Sequence, residues 1–124
     1  MLRSAAAAVL FLATAVPSHA FLAQNNLVVD PMGDGEFEVP YHGLSGTSDF
    51  WCAAGDYVVR GLNLPPRTRI YRTSSPPRRS GQGVSFSLSA TAAKKTGLLF
   101  YIGGRGLTAA HARHLCDAKK LSRD

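Results

Sequence analysis

Cys52 and Cys116 are the two cysteines of this chain, and with His42, His111 and His114 they are the side chains best suited to nucleophilic or metal chemistry. A thiolate near a helix start has a lowered pKa. Cys52, or one of the many serines, set beside one of these histidines would therefore make a small secreted hydrolase or thiol enzyme. The pairing of the cysteines argues for another use. An even pair in an oxidising compartment forms a structural disulfide, and joining Cys52 to Cys116 closes a separation of 64 residues. Such a bridge stabilises a fold by roughly 4 kcal/mol on chain-entropy grounds. No nucleophile signature such as G-x-S-x-G occurs, so no catalytic residue is assigned. His111 and His114 stand three apart, a spacing that can share a metal, but zinc needs further ligands. His111 falls in an apolar stripe and reads as a core histidine, and neither a metal nor a cofactor is expected.

A second chemistry is anion binding. Arg67, Arg69, Arg72, Arg78 and Arg79 crowd one short stretch, with Tyr71 on the face of Arg67 and Arg69. Guanidinium forks suit phosphate and carboxylate. Further on, Gly103-Gly104-Arg105-Gly106-Leu107-Thr108-Ala109 satisfies the G-x-G-x-x-A spacing of dinucleotide-binding turns. The chain ends too soon after Ala109 to supply the second parallel strand and ribose-binding acid of that motif. What survives is a smaller expectation: backbone N–H groups around Gly104 and Gly106, with Arg105 and the Thr108 hydroxyl, hold a small anion at a helix start. A tight turn requiring positive φ is the simpler explanation of the same glycines.

Charge is divided along the chain. The six acids from Asp30 to Asp56 come without a Lys or Arg between Phe21 and Asp56, whereas thirteen bases and two acids follow. Either the two halves lie together and partly neutralise, or the basic half offers a face to an anionic surface, a glycan or an acidic partner. No motif for specific nucleic-acid recognition is present.

The first twenty residues bear on where this chemistry operates. A positive start at Met1 to Arg3, an uncharged apolar run from Ala5 to Val16 and the small residues of Pro17-Ser18-His19-Ala20 read as a signal peptide cleaved after Ala20. The run is shorter than the roughly 20 residues that span a bilayer. The expectation is an exported, periplasmic or secreted, non-spanning protein, with an Ala-rich signal and Arg-over-Lys composition of bacterial character.

Positioning these groups falls to a single domain. Residues 21–35 read as an extended lead-in with a short strand at Leu27 to Val29, and 36–124 as one α+β domain. Glu36 to Tyr41 alternates as a strand that Pro40 confines to an edge. Thr47 or Ser48 caps a helix from Asp49 to about Arg60, in which Asp49, Asp56 and Arg60 share a surface side and Phe50, Trp51, Ala54, Tyr57 and Val58 face the core. Asp56 and Arg60 form an i,i+4 pair worth a few tenths of a kcal/mol at a surface. Gly61 stops this helix. Strands follow at Thr68 to Thr73, Val84 to Ser89 and Leu98 to Ile102, then a helix capped at Thr108 that runs to about Lys120, with Leu107, His111, Leu115 and Ala118 inward and Arg113 and Asp117 outward. The resulting fold class is α+β: a small two-layer domain of order β-α-β-β-β-α, a mainly antiparallel sheet of about four strands with two helices on one face. Trp51 beside Cys52 reads as core packing, or with Tyr41, Tyr57 and Tyr71 as a glycan-stacking surface.

Overall fold

The computed structural model describes residues 20–43, 45–98 and 105–117. Strand β1 is Phe21–Leu22, β2 Val28–Gly33 and β3 Glu36–Val39; helix α1 is Thr47–Asp56, prolonged by a π-helical turn at Tyr57–Gly61. Then come β4 (Arg69–Arg72), β5 (Val84–Ser87), β6 (Leu107–Thr108) and helix α2 (Ala109–His114). Among the described residues the six strands make one antiparallel sheet in the order β1-β2-β3-β5-β4-β6. The fold is α+β, as the sequence implies, but with six strands in place of about four and the order β-β-β-α-β-β-β-α in place of β-α-β-β-β-α. Neither described helix is long and apolar enough to cross a membrane.

Two-residue alternation builds the centre of the sheet. Phe37 and Val39 are buried on β3 and face Phe86 and Val84 across the β3–β5 ladder. Side chains two apart share one face of a strand, so these four meet, and the Phe37 and Phe86 rings stack at 5.6 Å. Trp51 of α1 sets its edge on Phe86 at 4.9 Å. Because β2 and β5 flank β3, β3 is not the edge strand that Pro40 suggested. The proline lies one residue past Val39, where its missing N–H ends the ladder without interrupting it.

The lead-in is more than a short strand. It carries β1 and β2, and it buries Ala23, Leu27 and Val29. The turn signals of Asp30 to Gly35 are real but later than they read: β2 runs through Pro31 to Gly33, and the reversal occurs at Gly33, Asp34 and Gly35, all at positive φ. The Asn25 side-chain amide donates to the Asp49 carbonyl, which fastens this hairpin to α1.

Helix α1 starts earlier than expected. Its cap is Gly46, not Thr47 or Ser48, and the Asp49 carboxylate accepts the Gly46 N–H at 2.8 Å. An acidic side chain at the third helical position thus covers the cap from inside the helix. The helix ends at Gly61 as expected, through the π-helical turn.

Helices α1 and α2 cross at Gly55. A Cβ there would stand 2.8 Å from the Ala109 carbonyl oxygen, the Ala112 Cβ and the Arg113 nitrogen. This closeness selects small residues on α2, so Ala109 and Ala112 are its buried face while His111 is exposed. The inward stripe holds at Leu107, which is buried, and at Leu115, which packs against the core, but not at His111, which is not a core histidine. Cys52 and Cys116 are bonded, with Cα atoms 4.8 Å apart. Cys116 lies two residues beyond α2, so the bridge ties α1 to the turn after α2. The Leu98 to Ile102 strand and the extension of the second helix to Lys120 fall outside the described residues, except that Leu98 is not in a strand and residues 115–117 form a turn.

Candidate functional site

Two buried charges organise the polar chemistry of the described residues. Asp56, read as a surface acid, is fully buried. The helical wheel places it correctly beside Arg60, but the β1–β2 turn and α2 close over that side. The Gln24 N–H donates to its Oδ2 at 2.9 Å, Arg60 Nε donates to Oδ1 at 2.7 Å with a second, Nη2 contact to Oδ2, and Arg113 Nε stands 3.6 Å from Oδ1. Burial by itself raises a carboxyl pKa. Here the Arg60 hydrogen bonds, the Gln24 N–H and the charges of Arg60 and Arg113 outweigh it, and the Asp56 carboxyl is held below its ordinary value. Arg113, expected to face water, is half-buried because it turns toward this acid.

Arg72 is the other buried charge, 1% exposed. Along β4, residues 70 and 72 share one face and 69 and 71 the other, so Arg72 leaves the surface set of arginines and enters the interior. Its Nε donates to the Ser74 carbonyl at 2.9 Å and its Nη1 to the Thr96 carbonyl at 3.3 Å. Trp51 Nε1 donates to that same Thr96 oxygen at 2.9 Å. Trp51 is thereby core, as is most of Tyr57, and neither offers a ring for stacking a glycan. Arg78 follows in the β4–β5 loop. Its Nη1 donates to the Arg79 and Gln82 carbonyls, and its guanidinium carbon lies 5.1 Å from the ring centroids of both Tyr41 and Phe50. Arg72, Arg78, Gly46, Thr47, Pro76, Pro77 and Gly97 line an open-sided cavity of about 430 Å³. Burial, and then the charge of Arg78, press the Arg72 guanidinium below its ordinary pKa.

The remaining expected anion ligands divide between two places. Arg69 Nη2 donates to the Arg105 and Gly106 carbonyls, at 3.2 and 3.3 Å, across the β4–β6 pairing. Arg105 borders a separate hollow with Lys94 and Lys95, two cations that the sequence reading passed over. Arg67 and Arg79 are exposed. Gly104 lies outside the described residues. Gly106 has φ +84° and its α-carbon faces the Ile70 carbonyl so closely that a Cβ would sit 2.5 Å from that oxygen, which gives the glycine a structural reason. Thr108 caps α2 as expected, its hydroxyl accepting the His111 N–H at 3.2 Å. The first-turn donors expected to meet an anion are otherwise engaged: the Ala109 and Ala110 N–H groups donate to the Thr68 and Pro66 carbonyls at 2.8 Å each.

Both sulfurs are joined, so in this form neither is a free thiolate. Among the described residues no group of three or more His, Cys, Asp or Glu side chains is placed to hold a metal. The residues missed from sequence are Gly97, Pro76 and the cap residue Gly46, which shape the Arg72 cavity. The period of two along β4 is the signal that separates Arg72 from Arg69 in advance. Comparison with known proteins supplies no residue roles, since no family model, no curated protein and no solved structure matches this chain.

Proposed function

We propose that this chain is an exported, disulfide-held binding domain without catalytic function, which attaches through its basic side to an anionic surface of the bacterial envelope. One observation carries the reading. Arg67, Arg69, Arg72, Arg78, Arg79 and Arg105 form no ion pair among the described residues, whose ion pairs converge on Asp56. Among the described residues only Asp56 of the acidic half pairs with the basic half, through Arg60 and Arg113, so the charge of the exposed arginines is left available to an outside anion. Export is supported by the leader-like residues 1–20 and by the Cys52–Cys116 bond, which belongs to an oxidising compartment. Helices packed on an antiparallel sheet in two layers would leave the arginine-bearing β4–β5 region at one side.

Exposed charges act through a screened field, so this association must weaken with salt. Co-sedimentation with vesicles rich in anionic lipid should fall several-fold between about 20 and 200 mM salt, and Arg67→Ser/Arg79→Ser should reduce it further, because both side chains are exposed. Binding indifferent to salt, or equal on neutral vesicles, would refute the reading. Mass measurement of the protein recovered from the periplasm or medium should give an N-terminus at Phe21.

A further inference from the structure

We infer that the cavity between the start of α1 and the β4–β5 loop is a receptor for a carboxylate, held by Arg72 and Arg78. This rests on the anion-binding reading above and gives it a discrete site. Arg72 Nη2 is buried with no hydrogen-bond partner among the described residues. An unpaired buried donor is costly, more so when it carries charge, and an anionic acceptor removes that cost. Arg72 lines the cavity, and its Nη1 lies against Gly97, which lines it too. At Gly97 the built Cβ position touches Arg72 Nη1, lies 3.4 Å from the Pro76 Cβ and 3.5 Å from the Thr47 Cγ2, and all four residues line the cavity. A side chain at position 97 would fill the space in front of Arg72, and the backbone there has φ +77°, where glycine is favoured.

The surroundings of the cavity point to a carboxylate. Arg78 is fixed beside the cavity by the carbonyls of Arg79 and Gln82 and by the Tyr41 and Phe50 rings, with no acid paired to it among the described residues. Helix α1 starts at the same wall, where Gly46 and Thr47 line the cavity at the positive end of its dipole. The Asp49 carboxylate, which takes the Gly46 N–H, also stands at this helix start. That negative charge beside the cavity disfavours a phosphate dianion more than a singly charged carboxylate. The Pro76 and Pro77 walls and the volume of about 430 Å³ leave room for a short apolar portion attached to the acid. The ligand is thus a carboxylate on a small organic acid or on an acidic side chain of a peptide.

The test is an amide NMR titration of the disulfide-bonded protein with sodium propionate and with a capped glutamate-containing peptide, each at constant ionic strength set with sodium chloride. Saturating shifts at Thr47, Ser48 and Gly97 are expected, with affinity at least tenfold weaker in Arg78→Gln and unchanged in Arg79→Gln. Arg72→Met should likewise lose saturation while its remaining amide spectrum stays dispersed, which separates loss of the site from loss of the fold. Saturation by both ligands supports a free acid as the natural occupant, and saturation by the peptide alone supports an acidic partner segment. Linear shifts equal to those of chloride, or preferential saturation by inorganic phosphate, overturn the site. Failure here beside salt-sensitive vesicle binding sinks only the cavity, whereas a saturable cavity without vesicle binding sinks only the surface reading.

Discussion

Asp56 and Arg72 are both withdrawn from solvent, at 0% and 1% exposure, yet the molecule treats the two charges differently. Around Asp56 it assembles a backbone N–H and two guanidinium groups drawn from three separate segments. Around Arg72 it supplies two carbonyls and a second cation, and leaves Nη2 without an acceptor among the described residues, whereas Arg113 Nε, which also makes no hydrogen bond there, at least stands 3.6 Å from the Asp56 carboxylate. Burying an ion is tolerable only when partners replace its hydration. The acid meets that condition inside the protein. The arginine meets it halfway, which marks the first as scaffold and the second as a place prepared for something else.

Stability measurements can break this contrast. Asp56→Ala strands the Gln24 donor and two cations, and should lower the unfolding free energy by about 3 kcal/mol, the lower end for breaking a buried pair because Arg60 and Arg113 are partly exposed. Arg72→Met keeps the volume and removes an incompletely paired charge, so its cost in ligand-free buffer should be about 1 kcal/mol or less. Urea unfolding of both variants, read by circular dichroism, checks the pair. Equal losses would erase the distinction.

Acid sharpens the contrast with a smaller effect. The Asp56 carboxyl is depressed in the folded protein, so its stabilising contribution is complete above the unfolded carboxylate value of about 3.9 and disappears as pH falls through the lower folded value. The difference in urea midpoint between the protein and Asp56→Asn should be constant from pH 7 to 5 and narrow below about pH 4. A gap that does not narrow would mean that the ion pair is not what holds this corner.

The smallest expected change concerns the helix that delivers Arg113. Thr108 caps α2 through the His111 N–H, and Thr108→Ala should cost about 1 kcal/mol. Hydrogen exchange should quicken in α2 and at Gln24, while amides at Thr47 and Gly97 stay as protected as before. Faster exchange at Gly97 would show that the two charged regions are coupled.

Local patterns carried much of this architecture. The alternation of Phe37, Val39, Val84 and Phe86 gives the central ladder directly, Thr108 announces a helix, and the cysteine pair in a chain with a leader-like start implies the bond between Cys52 and Cys116. What the sequence hides comes from distant segments. Asp56 sits on the side of α1 that an isolated helix would expose, and the Gln24 turn and Arg113 close on it from distant segments. The strand β2 is masked by turn-forming residues, since Pro31 and Gly33 suit a reversal as well as a bulged strand end. The arginines read as one cluster because they are near in sequence. The pleat sends Arg69 and Arg72 to opposite faces, and the loop then returns Arg78 to Arg72.

The Thr96 carbonyl accepts from both Trp51 and Arg72, and Trp51 is the chain's single tryptophan. Its indole therefore shares one oxygen with the guanidinium that borders the cavity. Any occupant that draws Arg72 away from that oxygen alters the local field at the ring, so the protein contains its own optical gauge, and emission wavelength should follow filling of the cavity without any attached dye.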